Sequence, residues 1–240
     1  MRLQGKTALV TGGTDGIGAQ LIRQMKDKGV TVITSGRDPA RVEATRAEGF
    51  EVIQADLATP SGVTALVEAV KGRAIDILVN NAGSGADHDF REGPPDLAAA
   101  DACVFLNLNA PIHLIAGLMP TLRSRPEAMI VNVTSGLAIA PRAGGPVYCA
   151  TKAALRSYSQ ALRVQLKNTA IHVLEALPPV VETKMTAGRG TRKMPAAECA
   201  RQFVAAMEAD ADEANVGMVK LLQVVHSISP ALARRIMIRF

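Results

Sequence analysis

The stretch TALVTGGTDGIG, residues 7–18, decides the fold of this chain. Its first five residues form an apolar run, TALVT, that is typical of a buried strand. Four glycines follow within seven residues, and an amphipathic pattern then indicates a helix over 16–28. Glycines at such a turn let a pyrophosphate approach the backbone, and the helix N-terminus supplies partial positive charge. The stretch therefore predicts a dinucleotide-binding turn, with a glycine turn that holds no ligand as the alternative.

The same alternation of strand and helix continues along the chain. Strands that are apolar throughout and separated by helices indicate a parallel sheet covered on both faces. We therefore predict an α/β fold, a doubly wound parallel sheet of the Rossmann type, in a single domain over residues 1–240. Ligands of such a sheet bind at the carboxyl ends of its strands. Further strands are predicted at 30–35, 50–55, 75–80, 128–135 and 170–177, and further helices near 39–48, 60–71, 96–119 and 148–167.

The composition argues against several other classes of protein. The three cysteines among 240 residues, Cys103, Cys149 and Cys199, fit neither a disulfide framework nor a metal site. The net charge of +5 would suit an anionic partner, but few aromatic residues and no nucleic-acid motif argue against nucleic acid. The apolar run near the start is too short for a signal peptide, and charges, prolines and glycines interrupt every longer run. We expect a soluble, cytoplasmic protein without a membrane-spanning helix.

Tyr148 and Lys152 are the candidate reactive pair. A free tyrosine has a pKa of about 10, and a nearby ammonium group lowers that pKa by stabilising the phenolate. Residues four apart share one face of a helix, so Lys152 lies within reach of the phenol. Tyr158, the only other tyrosine, has Leu162 at that spacing and is expected to pack in the core. Taken alone, the pair is equally compatible with an ordinary helix surface.

Several motifs together resemble the short-chain dehydrogenase/reductase family. The sequence NNAG follows the fourth strand at 80–83, as it does in the family. The resemblance covers roughly residues 5–185 and implies hydride transfer between a nicotinamide cofactor and a carbonyl or alcohol. The family's TGxxxGxG motif is matched by Thr11, Gly12, Gly16 and Gly18, and its four catalytic positions by Asn107, Ser135, Tyr148 and Lys152.

The resemblance implies a role for each catalytic position. Tyr148 is the general acid/base that protonates the developing alkoxide. Lys152 lowers the pKa of Tyr148 and binds the nicotinamide ribose. Ser135 orients the substrate carbonyl, and Asn107 supports a water that links the lysine to solvent as a proton relay.

Two of these positions have neighbours that compete for the same role. Thr134 offers a second hydroxyl, but strand alternation turns it to the opposite face from Ser135. Asn109 offers a second amide, but the family's Asn-Leu-x-Gly/Ala pattern matches Asn107 as its first residue. A helix kink before Pro111 is the structural alternative for Asn107.

The end of the second strand bears on the choice between NAD and NADP. Asp38 precedes Pro39 at the start of a helical pattern, which favours a helix N-cap over a ribose-binding acid. In the family's pattern the NAD-selecting acid aligns with Gly36, which has no side chain, whereas the Arg37 guanidinium suits a 2′-phosphate. Many NADP-dependent members carry a basic residue in the glycine turn, where this chain has Asp15. We predict NADP(H) as the favoured cofactor over NAD(H).

The remaining cofactor contacts implied by the resemblance lie in loops that follow the strands. Asp56 and Leu57 match the family's adenine-contacting pair, although Asp56 also suits a cap or a turn. After the sixth strand Pro179 replaces a glycine of the family, which removes backbone freedom and one N–H donor. The full predicted set is Gly12, Thr14, Asp15, Gly16, Ile17, Gly18, Arg37, Asp56, Leu57, Asn81, Ala82, Gly83, Tyr148, Lys152, Pro178, Val181 and Thr183.

Residues 184–195 take the place of the family's substrate lid. The cations Lys184, Arg189, Arg192 and Lys193 would suit an acidic substrate or a cofactor phosphate, and a solvated loop explains them equally well. His88 and Arg91, in the loop at 84–96, are expected to be exposed loop residues rather than substrate contacts.

The end of the chain departs from the family. Members commonly finish with a last strand, whereas here Asn215 leads into apolar, helix-like sequence, and we predict a helical tail over 218–240. This ending and the double proline are similar to a subgroup of the family, the oxidoreductases of lipoteichoic-acid D-alanylation operons. Packing against another subunit or the core is the favoured role for the tail, with a substrate-pocket role or contact with a membrane surface as alternatives.

The sequence therefore predicts an NADP(H)-dependent oxidoreductase that interconverts a carbonyl and an alcohol. Residues 1–135 would form the cofactor half and residues 136–240 the catalytic and substrate half. A homodimer or homotetramer is expected from the resemblance. The alternatives are a non-catalytic dinucleotide-binding regulator or scaffold, and a sugar-nucleotide epimerase or dehydratase, which would need a larger C-terminal domain than this chain has after Thr183.

Overall fold

The computed structural model of the protein describes residues 1–188 and 192–239. Within these residues, seven strands form one sheet in the order β3-β2-β1-β4-β5-β6-β7, and every neighbouring pair is parallel. The predicted doubly wound parallel sheet is confirmed. The strands are β1 Thr7–Thr11, β2 Thr31–Gly36, β3 Glu51–Gln54, β4 Ile77–Asn80, β5 Ala128–Val133, β6 Ile171–Leu177 and β7 Glu213–Asn215.

Helices connect the strands and cover both faces of the sheet. The apolar alternation of β1 shows the two layers, because Ala8 and Val10 face one buried cluster while Leu9 faces the other. The helices are α1 Gly16–Asp27, α2 Pro39–Ala47, α3 Pro60–Ala69, α4 Leu97–Val104, α5 Ala110–Arg123, α6 Pro146–Leu166, α7 Ala196–Glu208, α8 Val219–Ile228 and α9 Pro230–Met237.

Different helices fill the two layers. On one face, α1 and α7 pack together, and Phe203 of α7 is fully buried there. On the other face, α3, α5 and α6 contribute Leu66, Leu114 and Leu162 to the second cluster. Strands that are buried on both sides need apolar residues at consecutive positions, which explains the uninterrupted Val/Ile-rich runs of the sequence.

One sequence prediction is refined and one needs correction. The helix predicted near 96–119 is present as a helical segment over Leu97–Arg123, in which a π-helical turn at Phe105–Asn109 separates α4 from α5. The last strand of the family, which the sequence prediction replaced by a helical tail, is present as β7 and pairs with Glu175–Leu177 of β6. Its three residues, Glu-Ala-Asn, lack the apolar, β-branched composition by which strands are found in a sequence. The helical tail itself is confirmed as α8 and α9, which come after β7.

The helical segment Leu97–Arg123 is long and apolar enough to cross a membrane by length and composition alone. Its residues Leu114, Leu118 and Leu122 are buried in the protein core, against the sheet and α3. The segment is therefore one of the helices that cover the sheet, with its leucines packed into the core between helix and sheet.

Candidate active site

A cleft of about 550 Å³ opens at the carboxyl ends of the central strands. It lies where the strand order reverses, since β1 has β2 on one side and β4 on the other, and such a position is the general ligand site of doubly wound sheets. Every residue of the predicted cofactor set lines the cleft, together with Ser135. Asn107 is the one predicted site residue that does not line the cleft. It lies behind the cleft wall, in contact with the lining residue Ser84.

The glycine turn owes its shape to two glycines in particular. Gly16 has a φ of +55°, in the left-handed region that side chains disfavour. A Cβ on Gly18 would lie 2.2 Å from the Gly12 carbonyl oxygen, so only a glycine allows α1 to start this close to the strand. Asp15 caps α1, its Oδ1 accepting a hydrogen bond of 2.8 Å from the Gly16 backbone N–H. The turn thus leaves the N-terminus of α1 on the cleft.

Thr11 and Asn81 connect the glycine turn to the NNAG segment. The Thr11 hydroxyl donates to the Val79 carbonyl at 3.2 Å and accepts from the backbone N–H groups of Asn81 and Ala82, both at 3.0 Å. The Asn81 side-chain amide donates back to the Thr11 carbonyl at 2.9 Å. These bonds hold the ends of β1 and β4 in fixed register on either side of the cleft.

The far end of the cleft is built around β2 and α2. Asp38 caps α2 by accepting from the Arg41 backbone N–H at 2.9 Å, with Pro39 at the first turn, so the N-cap interpretation of Asp38 is confirmed. A Cβ on Gly36 would come within 2.5 Å of the Thr14 side chain, which leaves no room there for an acidic residue. Arg37 is exposed and lines the cleft, and among the residues that the structure describes no ion pair is recorded for its guanidinium.

Arg41 is a cleft residue that sequence reasoning missed. It lines the cleft four residues after Arg37, and its guanidinium pairs with the Asp15 carboxylate at 2.8 Å. The acidic residue of the glycine turn, which counted against NADP in the sequence, therefore holds a cation at the cleft. Its position early in the helix after the second strand was the available signal, but the ion pair with Asp15 joins positions too distant in sequence to be inferred.

Asp56 and Leu57 come after β3 at the same end of the cleft. Leu57 is buried, while the Asp56 carboxylate accepts from the Ala58 backbone N–H at 3.1 Å. Asp56 therefore acts as the turn residue that the sequence left as an alternative, and it faces the cleft at the same time.

Lys152 and Tyr148 meet at the opposite end of the cleft. The Lys152 ammonium nitrogen lies 5.7 Å from the centroid of the Tyr148 ring, and it donates to the Val133 carbonyl at 2.8 Å. Burial lowers the pKa of Lys152 from its ordinary 10.5 to about 8. Ser135 lies on the segment after β5, and its hydroxyl accepts from the Leu137 backbone N–H at 3.1 Å. The three side chains line one end of a single cleft.

Asn107 lies on the π-helical turn and fixes the loop behind the cleft. Its side-chain oxygen accepts from the Ser84 backbone N–H at 3.0 Å, and its amide donates to the Ser84 carbonyl at 2.9 Å and to the Thr151 hydroxyl at 3.1 Å. A Cβ added to Gly83 would lie 3.1 Å from the Asn107 side-chain oxygen and 3.6 Å from the Lys152 ammonium nitrogen. Asn107 therefore adjoins Lys152, whereas the rival Asn109 has no side-chain hydrogen bond recorded in the described part of the chain.

A series of polar and charged side-chain contacts lies behind Ser135. The Thr134 hydroxyl donates to the Glu175 carboxylate at 2.7 Å, which turns it away from the role of carbonyl-orienting hydroxyl. Glu175 is fully buried and pairs with Arg156 at 2.8 Å, and Arg156 in turn pairs with Glu213 at 3.1 Å. Burial raises the pKa of Glu175. These contacts join the segment after β5 to β6, β7 and α6, next to the predicted catalytic positions.

The double-proline loop continues the cleft wall after β6. The Pro178 carbonyl accepts from the Gly136 backbone N–H at 3.0 Å, which ties the loop to the segment after Ser135. Val181 and Met194 form a backbone bridge that closes the base of the predicted lid. Thr183 caps a short 3-10 helix at Lys184–Thr186, which also lines the cleft.

Of the four cations predicted on the lid, Arg189 lies outside the described residues. Lys184 lines the cleft, and Arg192 is exposed. Lys193 donates to the Thr186 carbonyl at 2.5 Å, so this cation is held by the lid itself.

The two residues singled out in the loop at 84–96 differ in exposure. Arg91 pairs with Asp89 and is exposed, as predicted. His88 is half-buried rather than exposed, because its ring packs edge-on against Phe90 with 4.9 Å between the ring centroids. Neither residue lines the cleft.

The remaining reactive side chains of the region have packing roles. Tyr158 packs against the second core cluster, and burial raises the pKa of its phenol. Burial likewise raises the pKa of the Cys103 and Cys149 thiols. High pKa values keep these groups in their neutral form, in contrast to the buried ammonium of Lys152.

The chain matches the family model for short chain dehydrogenases over residues 6–193. It is 43% identical over 187 residues to the uncharacterized oxidoreductase DltE of Bacillus subtilis, an alignment covering 76% of this chain and 74% of that protein. The short-chain dehydrogenase from Sphingobium yanoikuyae, solved in complex with NADPH, superposes with a TM-score of 0.83 at 25% identity and covers 95% of this chain and 94% of that one.

A second solved structure differs in its cofactor. The short-chain dehydrogenase/reductase from Burkholderia phymatum, solved in complex with NAD, shares the fold with a TM-score of 0.79 at 21% identity, and the superposition covers 95% of this chain and 96% of that one. At 21% identity this similarity shows a shared fold and nothing more. Two observations therefore agree. The cleft holds a glycine turn and a Tyr–Lys pair, and the sequence matches the family model over residues 6–193. The chain belongs to the short-chain dehydrogenase/reductase family and is a nicotinamide dinucleotide-dependent oxidoreductase that interconverts a carbonyl and an alcohol.

Proposed function

We propose that the protein is an NADP(H)-dependent oxidoreductase in which Tyr148 is the general acid/base. The observation that carries this proposal is the buried Lys152 ammonium 5.7 Å from the Tyr148 ring centroid, at the end of a cleft that begins with a glycine turn. A cation that is shielded from water stabilises a phenolate more strongly than an exposed one, because screening is weaker. A charged Lys152 beside the ring would therefore stabilise the phenolate form of Tyr148 as its proton is transferred.

The cleft fits an extended dinucleotide. The N-terminus of α1 and its glycine turn would hold the pyrophosphate, and Thr183 would contact the nicotinamide end. When bound, the nicotinamide supplies or accepts a hydride. Tyr148 would give its proton to the alkoxide oxygen in reduction and take it back in oxidation, while Ser135 donates a hydrogen bond to the same oxygen. Asn107 would hold the relay that returns a proton to Lys152.

Tyr148→Phe tests this assignment, with Tyr158→Phe as the matched control. Loss of a general acid/base costs on the order of 100- to 10,000-fold in kcat. We expect this loss for Tyr148→Phe in NADPH oxidation over a panel of carbonyl compounds, with little change in cofactor affinity. Tyr158→Phe, which removes a hydroxyl from a packing tyrosine, should retain kcat. Cofactor binding without turnover of any compound would favour the regulator or scaffold instead.

The preference for NADP(H) is part of the proposal and is supported by residues of this chain. Arg37 and Arg41 line the far end of the cleft, and Gly36 leaves no space for the acid that would bind an unphosphorylated ribose. Arg41 also neutralises Asp15, so the glycine turn does not repel a 2′-phosphate. The two solved relatives hold NADPH and NAD respectively, so the support for NADP(H) comes from these arginines.

Arg37→Ala tests the cofactor preference. Charge-assisted hydrogen bonds contribute roughly 1.5–3 kcal/mol, so NADPH affinity should fall by about 10- to 100-fold. NADH affinity should change little, because NADH has no 2′-phosphate. Arg123→Ala, at an exposed position in the last turn of α5, is the control for net charge. Isothermal titration with both cofactors measures the effect, and equal losses for NADPH and NADH would contradict the assignment.

The division into a cofactor half, 1–135, and a catalytic and substrate half, 136–240, belongs to the same proposal. A cytoplasmic location and a homodimer or homotetramer stay predictions.

A further inference from the structure

The helices α8 and α9, here called the C-terminal helix pair, leave an unusual amount of apolar surface exposed. In the described part of the chain, seven of the thirteen exposed large apolar side chains lie between residues 218 and 238. Single exposed apolar residues are ordinary in soluble proteins, whereas a contiguous group marks an interaction surface. The group consists of Met218, Leu221, Val224, Ile228, Leu232, Ile236 and Ile238.

On α8 these residues form a single stripe. Met218, Leu221, Val224 and Ile228 recur at intervals of three or four residues, so they share one face of the helix. Ile228 is 80% exposed and Met218 is 70% exposed, so the stripe is not covered by the rest of the chain.

The opposite side of the helix pair is anchored to the protein. Val219 is buried and lies against Gly136, where an added Cβ would come within 2.9 Å of a Val219 methyl group. Ala233 of α9 is also fully buried, and the Ala143 backbone N–H donates to the Ile238 carbonyl at 3.2 Å. The exposed stripe is therefore presented by a docked element that does not need the stripe for its own attachment.

The charge of the same segment is entirely positive. After Glu213 the sequence contains no Asp or Glu, but it contains Lys220, Arg234, Arg235 and Arg239. Among the residues that the structure describes, no ion pair is recorded for these four cations. Leu232, Arg235, Ile236 and Arg239 succeed one another at spacings of three, one and three residues, so apolar and cationic side chains share one exposed face of α9 and the turn after it.

This charge pattern argues against a second copy of the chain on the same surface. A two-fold symmetric dimer brings the same patch of both subunits together. Here it would set the cations of the two helix pairs against each other, which is unfavourable, and residues 214–240 contain no Asp or Glu to offset them. The surface instead suits a partner that offers anionic groups above an apolar layer.

We propose that the C-terminal helix pair docks the enzyme on an anionic lipid membrane. An amphipathic helix with Lys/Arg and large apolar residues on its exposed face lies in the plane of a bilayer, where apolar side chains enter the acyl boundary and cations meet anionic headgroups. The helix pair packs on Gly136 and Ala143, which lie between Ser135 and Tyr148 in the sequence. The docked surface thus adjoins the segment that carries the catalytic residues.

The test is co-sedimentation of the full chain with vesicles of phosphatidylcholine alone or mixed with phosphatidylglycerol. We expect binding to the anionic vesicles only, weakening as salt is raised. Arg235→Gln/Arg239→Gln should reduce the partition coefficient on the order of 30-fold, because each cation near an anionic surface contributes about fivefold. Lys71→Gln/Lys167→Gln removes the same net charge from exposed positions elsewhere and should bind as the unaltered chain does.

A second pair of variants tests the apolar contribution. Val224→Ser/Ile228→Ser should abolish most of the binding, while Val164→Ser, at a residue of α6 that is 75% exposed, should not. All variants alter exposed side chains, so oxidoreductase activity in solution reports that they are folded. Absence of binding to anionic vesicles, or equal weakening by the Lys71/Lys167 control, overturns the proposal. A dimer that Val224→Ser/Ile228→Ser dissociates in sedimentation equilibrium, without vesicle binding, would assign the surface to a second copy.

Discussion

Lys152 is an almost completely buried cation on the wall of the cleft. The Val133 carbonyl accepts one of its hydrogen bonds, at 2.8 Å, and the Tyr148 ring lies nearby. Burial penalises the protonated form and lowers the pKa of Lys152 from 10.5 to about 8. That difference corresponds to roughly 3 kcal/mol by which the charged lysine disfavours the folded state. A buried charge of this kind reduces stability, and such a cost is typical of residues retained for activity, the role proposed for Lys152.

We expect Lys152→Met to lower activity and to raise the free energy of unfolding, by an amount that depends on pH. The lysine has a lower pKa in the folded than in the unfolded chain, so protonation favours unfolding. Its unfavourable contribution is absent above pH 10.5 and grows as the pH falls to about 8, below which it is constant. The free energy of unfolding of Lys152→Met minus that of the unaltered chain should therefore increase as the pH falls through this window.

Urea unfolding of both proteins at a series of pH values measures this difference. Titrating groups that do not interact with Lys152 affect both proteins alike and cancel in the subtraction, and repeating the pair of measurements in a Tyr148→Phe background removes the phenol that Lys152 contacts. A difference that does not depend on pH would mean that Lys152 is not a buried charge, whatever happens to activity.

At the residue scale the sequence allowed prediction of groups whose spacing suits the proposed chemistry, and the structure brings them to one cleft. Tyr148 and Lys152 are four apart on one helix, and each glycine of the first turn meets a local steric need. Arg41 and Glu175 were missed, because their importance comes from partners 26 and 41 residues away in sequence. Contacts of that kind depend on how elements pack, which one sequence does not specify.

At the element scale, contacts among four polar side chains join the end of β5, β6 and β7 to α6. Thr134 and Glu175 are buried, and Arg156 and Glu213 are half-buried. Thr134 precedes Ser135, and Arg156 lies one helical turn after Lys152. A fully buried carboxylate at this junction holds the end of β5 against the helix that carries the Tyr–Lys pair. Small displacements of catalytic groups lower the rate strongly, so Glu175 is expected to act as a positioning residue.

Glu175→Gln tests this role, and Asp76→Asn is its matched control. Asp76 is another buried carboxylate, paired with Arg125 at 2.7 Å and with the Thr7 backbone N–H at 2.8 Å, but it lies at the amino ends of the strands. Both changes replace a carboxylate by an amide of the same shape and should lower the free energy of unfolding. Glu175→Gln alone should also lower kcat, on the order of tenfold, with the KM for NADPH unchanged.

Steady-state kinetics and urea unfolding of both variants separate positioning from mere support. If the two variants lose stability equally and both keep kcat, Glu175 is a structural residue only.

The π-helical turn at Phe105–Asn109 shows why element boundaries were harder to predict than elements. The apolar pattern over 96–119 is continuous, and nothing in it signals a change of helical geometry. The turn is stabilised from outside, since Asn107 binds the backbone of Ser84 on both its N–H and its carbonyl. Irregular turns of this type are frequent at functional sites, and here the turn holds a predicted catalytic residue.

At the scale of the whole molecule, the sequence allowed prediction of the type of sheet but not of every strand and helix in it. Alternating strand and helix patterns imply a parallel, doubly wound sheet through the right-handed crossover rule. The short β7 escaped prediction because it consists of three residues. The helix α7 escaped it because alanines lie on both its buried and its exposed face, as Ala200 and Ala205 do, and blur the apolar periodicity. The C-terminal helix pair was predicted as helical, but only its exposure in the folded chain shows which side is available to a partner.

Thr11 has a consequence for how the chain folds. Its hydroxyl bonds to residues 68 to 71 positions further along, so the two walls of the cleft meet only after β4 has paired with β1. Contacts between such distant positions form only after the chain has lost the entropy of loop closure, and they therefore slow folding. A ligand bound across that junction binds the assembled sheet and not the unfolded chain. By mass action, the dinucleotide pool of the cell would therefore shift the folding equilibrium of this enzyme toward the native state.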